Sequence, residues 1–87
     1  MFFVELSEKA DKFLSKLDAH IKNQLIKGLK KLEENPHPAE AKFICRHHND
    51  MVFRYRIGDY RALYKVKENE KIVLISKIDK RPRIYHR

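Results

Sequence analysis

The chain has 87 residues, 43% hydrophobic and 37% charged, with a net charge of +8 and a single cysteine, Cys45, so an internal disulfide is excluded and a reducing cytoplasm is expected. Residues 1–40 carry 7 Lys against 7 acids, whereas 41–87 carry 13 Lys and Arg against 5 acids, with every arginine in that second part. There is no run of about 18 apolar residues and no signal-peptide order at the start, so neither a membrane span nor export is expected.

Phe2-Phe3-Val4-Glu5 reads as a short strand. Ser7 caps a helix with Glu8 in its first turn, where the helix dipole favours an acid, and Ala10, Phe13, Leu14 and Leu17 form its apolar stripe. Asp18 caps a second helix whose stripe is Ile21, Leu25, Leu29 and Leu32, and Asn35-Pro36 end it. The short join predicts an antiparallel helical hairpin. Residues 36–50 read as a connector, with a short extended piece at 41–46 and a loop at His47-His48-Asn49-Asp50. Strands are expected at 51–57, 60–67 and 71–79, before a basic tail over 80–87. The expected fold is α+β. One domain spans 1–87, with the N-terminal strand and helical hairpin of 1–35 packed on a small, mainly antiparallel four-stranded sheet.

Gly58-Asp59 between two alternating runs predicts a two-residue hairpin loop, with glycine taking φ > 0. Ile57 then faces Tyr60, Arg56 faces Arg61, Tyr55 faces Ala62 and Phe53 faces Tyr64. Side chains alternate across a strand, so Phe53, Tyr55, Ile57, Tyr60, Ala62 and Tyr64 share the helix-packed face. Arg54, Arg56, Arg61 and Lys65 share the other, with Leu63. Like charges directly opposite one another destabilise a sheet, so Arg56 against Arg61 calls for an anion. A polyanion is the first partner to consider, because the guanidinium fork binds phosphate bidentately and stays charged. For the next turn, a loop of Glu68-Asn69-Glu70 with Asn69 left-handed puts Ile72, Leu74, Ser76 and Ile78 on the core face. A two-residue loop would put Val73, Ile75, Lys77 and Asp79 there. The first set is more apolar and is preferred. It sets Lys77 opposite Arg61, gives Arg81 the same parity if the strand runs on, and leaves no acid among the cations.

Other residues have plainer readings. Tyr55, Tyr60 and Tyr64 fit a core better than a base-stacking platform. His47 and His48 point apart on alternating backbone and have no third ligand at a suitable spacing, so no metal is expected. Cys45 reads as small and buried, or inert. His20 and His37 read as surface residues, and Lys22, Lys27, Lys30 and Lys31 as the solvated side of the second helix.

The segments YRIGDYRALYKV at 55–66 and ISKIDKRPRIY at 75–85, after a strand–helix–helix start, resemble the RelE/ParE toxins of toxin–antitoxin pairs. The resemblance implies an antitoxin partner encoded alongside and no cofactor. For RelE-like members it implies a metal-independent endoribonuclease that cuts messenger RNA on the ribosome. In such a nuclease Arg61 and Arg81 stabilise the reacting phosphate, and Tyr85 or His86 handles the proton. Arg54 and Arg56 stand where RelE-like nucleases place lysines; arginine keeps the charge but is a poorer proton donor. Lys65, Lys77, Lys80 and Arg83 complete the expected phosphate-binding set. ParE-like members instead poison DNA gyrase without catalysis, and a degenerate member would only bind.

Overall fold

The computed structural model describes residues 1–80. Strand β1 (Phe3–Leu6) leads into helix α1 (Glu8–Ser15), then α2 (Ala19–Lys30) and a 3₁₀ turn, Lys31–Glu33. Strands β2 (Ala41–His47), β3 (Asp50–Ile57), β4 (Tyr60–Lys67) and β5 (Ile72–Lys80) follow. All five strands form one sheet in the order β1-β5-β4-β3-β2, antiparallel except for the parallel β1–β5 pair.

The helix starts follow from their caps. The Ser7 hydroxyl oxygen accepts from the Ala10 amide at 3.1 Å, and an Asp18 carboxylate oxygen accepts from the Ile21 amide at 3.2 Å. The second cap follows the first helix after only two residues, which turns α2 back on α1. Past the 3₁₀ turn, the Asn35 side chain accepts from the His37 amide at 3.0 Å and turns the chain toward β2.

Both helices cover one face of the sheet. Ala10, Leu14, Leu25, Leu29 and Leu32 meet Phe53, Tyr55, Ala62, Tyr64, Val66, Val73, Ile75 and Ile78 in one buried cluster. Full burial of such side chains stabilises by roughly 1.5–3 kcal/mol each before entropy is counted. The two buried phenols are satisfied: Tyr55 donates to the Gly28 carbonyl at 3.2 Å, and Tyr64 to the Pro36 carbonyl at 2.7 Å. A Cβ at Gly28 would lie 3.0 Å from Ile57 Cδ1, so glycine lets α2 approach β3 there.

The β3–β4 hairpin has the expected register: Arg56 pairs with Arg61, Tyr55 with Ala62 and Phe53 with Tyr64, and Gly58 takes φ 59°. Elsewhere the structure corrects the sequence reading. The sheet has a fifth strand, because 41–47 pairs with β3, with a register shift at Ile44, through a two-residue turn at His48-Asn49. Both turn residues adopt the left-handed backbone of a tight hairpin, φ 51° and 70°. The β4–β5 connection spans Glu68 to Lys71, and Lys71, not Asn69, takes the positive φ of 58°.

The preferred core set for β5 fails over its first three members. Val73 and Ile75 are buried, while Ile72, Leu74 and Ser76 are not. A β-bulge then shifts the register, with Tyr64 opposite Ile75 but Leu63 opposite Lys77. Ser76 is the extra residue, and beyond it Ile78 is buried as expected. Ser7 clips this bulge: its hydroxyl donates to the Ser76 carbonyl at 2.8 Å, and its amide donates to the Ile75 carbonyl at 2.9 Å. Cys45 is exposed, because β2 is an edge strand with no helix over it.

Candidate nucleic-acid interface

The face turned away from the helices can be followed rung by rung across the strands. Lys42, Arg54, Leu63 and Lys77 align in one rung, and Arg56, Arg61 and Asp79 in the next. These rungs carry five cations against the one carboxylate of Asp79. On the other side of the Lys42 rung lie Cys45, Val52, Lys65, Leu74 and Glu5, then His47, Asp50, Lys67, Ile72 and Phe3. In that second half Lys65 and Lys67 are balanced by Glu5 and Asp50, amid apolar side chains that include a 72% exposed Phe3. The open face is therefore basic at the Gly58 end and neutral and apolar at the other.

Arg54 and Arg56 are exposed, and Arg61 is half-buried between Arg56 and Asp79. Glu40 lines the same shallow hollow as Lys42, Arg56 and Gly58, and no acid lies within 4 Å of the three arginines among the described residues. Five cations with so few counter-charges focus a positive potential on this patch. The bulge at Ser76 is essential to it. Without the extra residue Lys77 and Asp79 would share the parity of Val73 and Ile75 and point into the core.

Some expected site residues are elsewhere. Lys77 is on the open face but opposite Leu63. Arg61 faces Asp79, so an acid does stand among the cations, bound to Lys77 at 3.4 Å. Lys65 lies in the neutral half, its ammonium 2.9 Å from Nδ1 of His47. Lys80 pairs with Tyr60, at the helix-side parity of Ile78. Arg81, Arg83, Tyr85 and His86 lie outside the described residues. Lys42 was missed by sequence reading, because its place depends on β2 pairing with β3.

Three ionisable side chains away from the patch are perturbed, two in the core and one in the neutral half. Burial, then the Glu40 charge, pushes the Tyr55 phenol up; burial pushes Tyr64 far above its ordinary range, with Tyr55 adding to it. Both hydroxyls face the helices, each donating to a backbone carbonyl. The charge of Lys65, then that of His48, holds His47 below its ordinary 6.5. The His47 and His48 rings meet edge to face with centroids 4.1 Å apart; they do not point apart, because the left-handed backbone at His48 breaks the strand alternation. Among the described residues no three His, Cys, Asp or Glu side chains gather as a metal site, and no helix is long and apolar enough to cross a membrane.

Residues 4–85 match the family profile described as the ParE toxin of the type II toxin–antitoxin system parDE. The chain is 33% identical over 85 residues to a Methanocaldococcus jannaschii protein named as a candidate toxin, RelE1, covering 97% of this chain and 94% of that one. Its fold is similar to a chain of the archaeal RelE–RelB complex from Pyrococcus horikoshii OT3, with a TM-score of 0.84 and 26% identity over 95% of this chain and 98% of that one. It is also similar to the isolated E. coli RelE toxin, with a TM-score of 0.76 and 25% identity over 97% and 88% of the two chains.

Proposed function

The chain belongs to the RelE/ParE toxin family and is the toxin of a RelE-type toxin–antitoxin pair, and from that premise we propose that it is a ribosome-dependent messenger RNA endoribonuclease. The observation that carries this reading is the gathering of Arg54, Arg56 and Arg61, with Lys42 and Lys77, on the open face.

RNA carries its own nucleophile. The 2′-oxygen attacks the adjacent phosphorus, the bond to the 5′-oxygen breaks, and a 2′,3′-cyclic phosphate is left. The 2′-proton goes to a base, and the departing 5′-oxygen takes up a proton. The arginines supply the electrostatic part by neutralising the phosphorane as charge develops on its oxygens. Arg61 and Arg81 are assigned to that phosphate, and Arg54 and Arg56 to holding the strand. Tyr85 or His86 handles the proton; a histidine needs less adjustment than a phenol of pKa near ~10. Metal is not required by this scheme. The ribosome supplies orientation that so small a protein lacks, so free RNA is cut slowly.

The partner is an antitoxin, as in the RelE–RelB complexes of its relatives. A basic half beside an apolar half fits an amphipathic, acidic segment of that antitoxin. The family profile is named for ParE, so the gyrase-poison reading is the rival. Induction of the chain in cells, with mapping of messenger RNA 5′ ends, separates the two. Cuts in the reading frame are expected. Intact messages with DNA breaks and an SOS response would establish the rival instead.

A further inference from the structure

Around the edge of the sheet, the basic surface continues onto α1. β1 pairs only with residues 72–75 of β5, so on the edge away from β4 the end of β5 is flanked by α1 and not by a strand. Between them runs a groove of about 310 Å³, lined by Lys9, Lys12, Lys16, Phe13 and the Lys77–Asp79 stretch. Lys9, Lys12 and Lys16 recur at three and four residues, which sets them along one flank of the helix. The acids of α1, Glu8 and Asp11, do not line the groove. Asp79 does, and its carboxylate is paired with Lys77. None of the three α1 lysines has an acid within 4 Å among the described residues. Phe13 packs edge to face on Tyr60 at 6.0 Å and gives the groove a firm floor.

We propose that this groove is a second phosphate-binding track, in which Lys9, Lys12 and Lys16 hold the backbone of RNA as it leaves the open face past Lys77. The inference rests on the reading of the open face as an RNA surface, because Lys77 belongs to both. A row of flexible ammonium groups over a shallow groove suits successive phosphates and carries no base-specific contact, so the track adds affinity and orientation without sequence choice.

The test uses the full chain and two probes, a single-stranded RNA of about 20 nucleotides with 2′-O-methyl sugars, and purified ribosomes. Binding of each is measured across a range of KCl concentrations for the wild type, for Lys9→Gln/Lys12→Gln/Lys16→Gln and for the charge-matched control Lys22→Gln/Lys27→Gln/Lys30→Gln on α2. Losing three phosphate contacts lowers the slope of log K against log salt by about 2, and weakens binding on the order of 10–100-fold at 0.1 M salt. That change is expected for the α1 triple and not for the control, with melting temperatures alike. An effect on both probes assigns the track to the cleaved strand; an effect on ribosomes alone assigns it to the folded RNA around it. Equal slopes for the two triples on both probes would overturn the proposal. So would unchanged RNA binding with weakened antitoxin binding, which would make the groove a seat for an acidic peptide. Intact messenger RNA on ribosomes with the wild-type chain would instead sink the nuclease reading while leaving the α1 result standing.

Discussion

The two faces of this sheet are made by the same residues in alternation, and they are built on opposite rules. On the helix side polar atoms are few and paired: the Tyr55 and Tyr64 hydroxyls each reach a backbone carbonyl, and no buried side-chain N or O among the described residues lacks a partner. On the open side, Arg56 is set against Arg61, an arrangement a sheet built for stability alone would avoid. One strand thus carries the core on its odd-numbered residues and an uncompensated charge on its even ones, Arg54 and Arg56. Substitutions on one face should therefore unfold the protein, and those on the other should leave it folded and disarmed.

The largest separation is expected between Leu25→Ala and Arg61→Ala. Leu25 is 1% exposed, and its truncation costs about 2–5 kcal/mol in chemical denaturation while the molecules still folded bind RNA as before. Arg61→Ala should lower the rate of ribosome-dependent cleavage roughly 10²–10³-fold, with stability within about 0.5 kcal/mol of the wild type. Similar losses of stability in the two variants would erase the distinction between the faces.

Next in size is Tyr64. Its folded pKa is raised above the unfolded value near ~10, so its contribution to stability is fully present below that pH and is lost as pH climbs beyond it. The melting temperature should hold through neutral pH and fall above about pH 10. Tyr64→Phe should cost about 1–2 kcal/mol at neutral pH, because the Pro36 carbonyl loses its donor, and should soften the alkaline fall.

Ser7→Ala tests the link between the faces. It removes the α1 cap and the clip on the bulge, so about 1 kcal/mol of stability should go. Amide exchange should also speed up at Lys77 and Asp79. Exchange unchanged there would mean that the bulge holds Lys77 outward without Ser7.

The smallest effect is the most diagnostic in sign. Arg56→Gln relieves the facing charges, so denaturant titration should find it more stable by a few tenths of a kcal/mol while RNA affinity drops. A loss of stability would mean that Arg56 has a favourable partner on the sheet.

What could be read ahead depended on whether alternation carried information. At 53–64 polar and apolar residues alternate, broken only at Leu63, and Gly58-Asp59 marks the turn, so one register satisfied both. At 72–75 Ile, Val, Leu and Ile are all apolar, so neither face is marked, and the bulge at Ser76 changes parity midway through the strand. β2 is exposed at every position but Ala41 and turns through His48-Asn49 without glycine, so it lacked both a buried stripe and the strongest turn signal. The Lys42 rung and the acid facing Arg61 were hidden for those reasons. The expectations for Tyr85 and His86 rest on family resemblance, and that for Arg81 on resemblance and strand parity; all three lie outside the described residues.

The arginine side chains themselves give the most direct test. NMR of the Nε–Hε groups during titration with RNA carrying 2′-O-methyl sugars should shift Arg54, Arg56 and Arg61 together, with one dissociation constant. Arg46, which pairs with Met51 at the helix-side parity, should stay in place. Shifts confined to other arginines, or none in these three at saturation, would contradict the account of the open face.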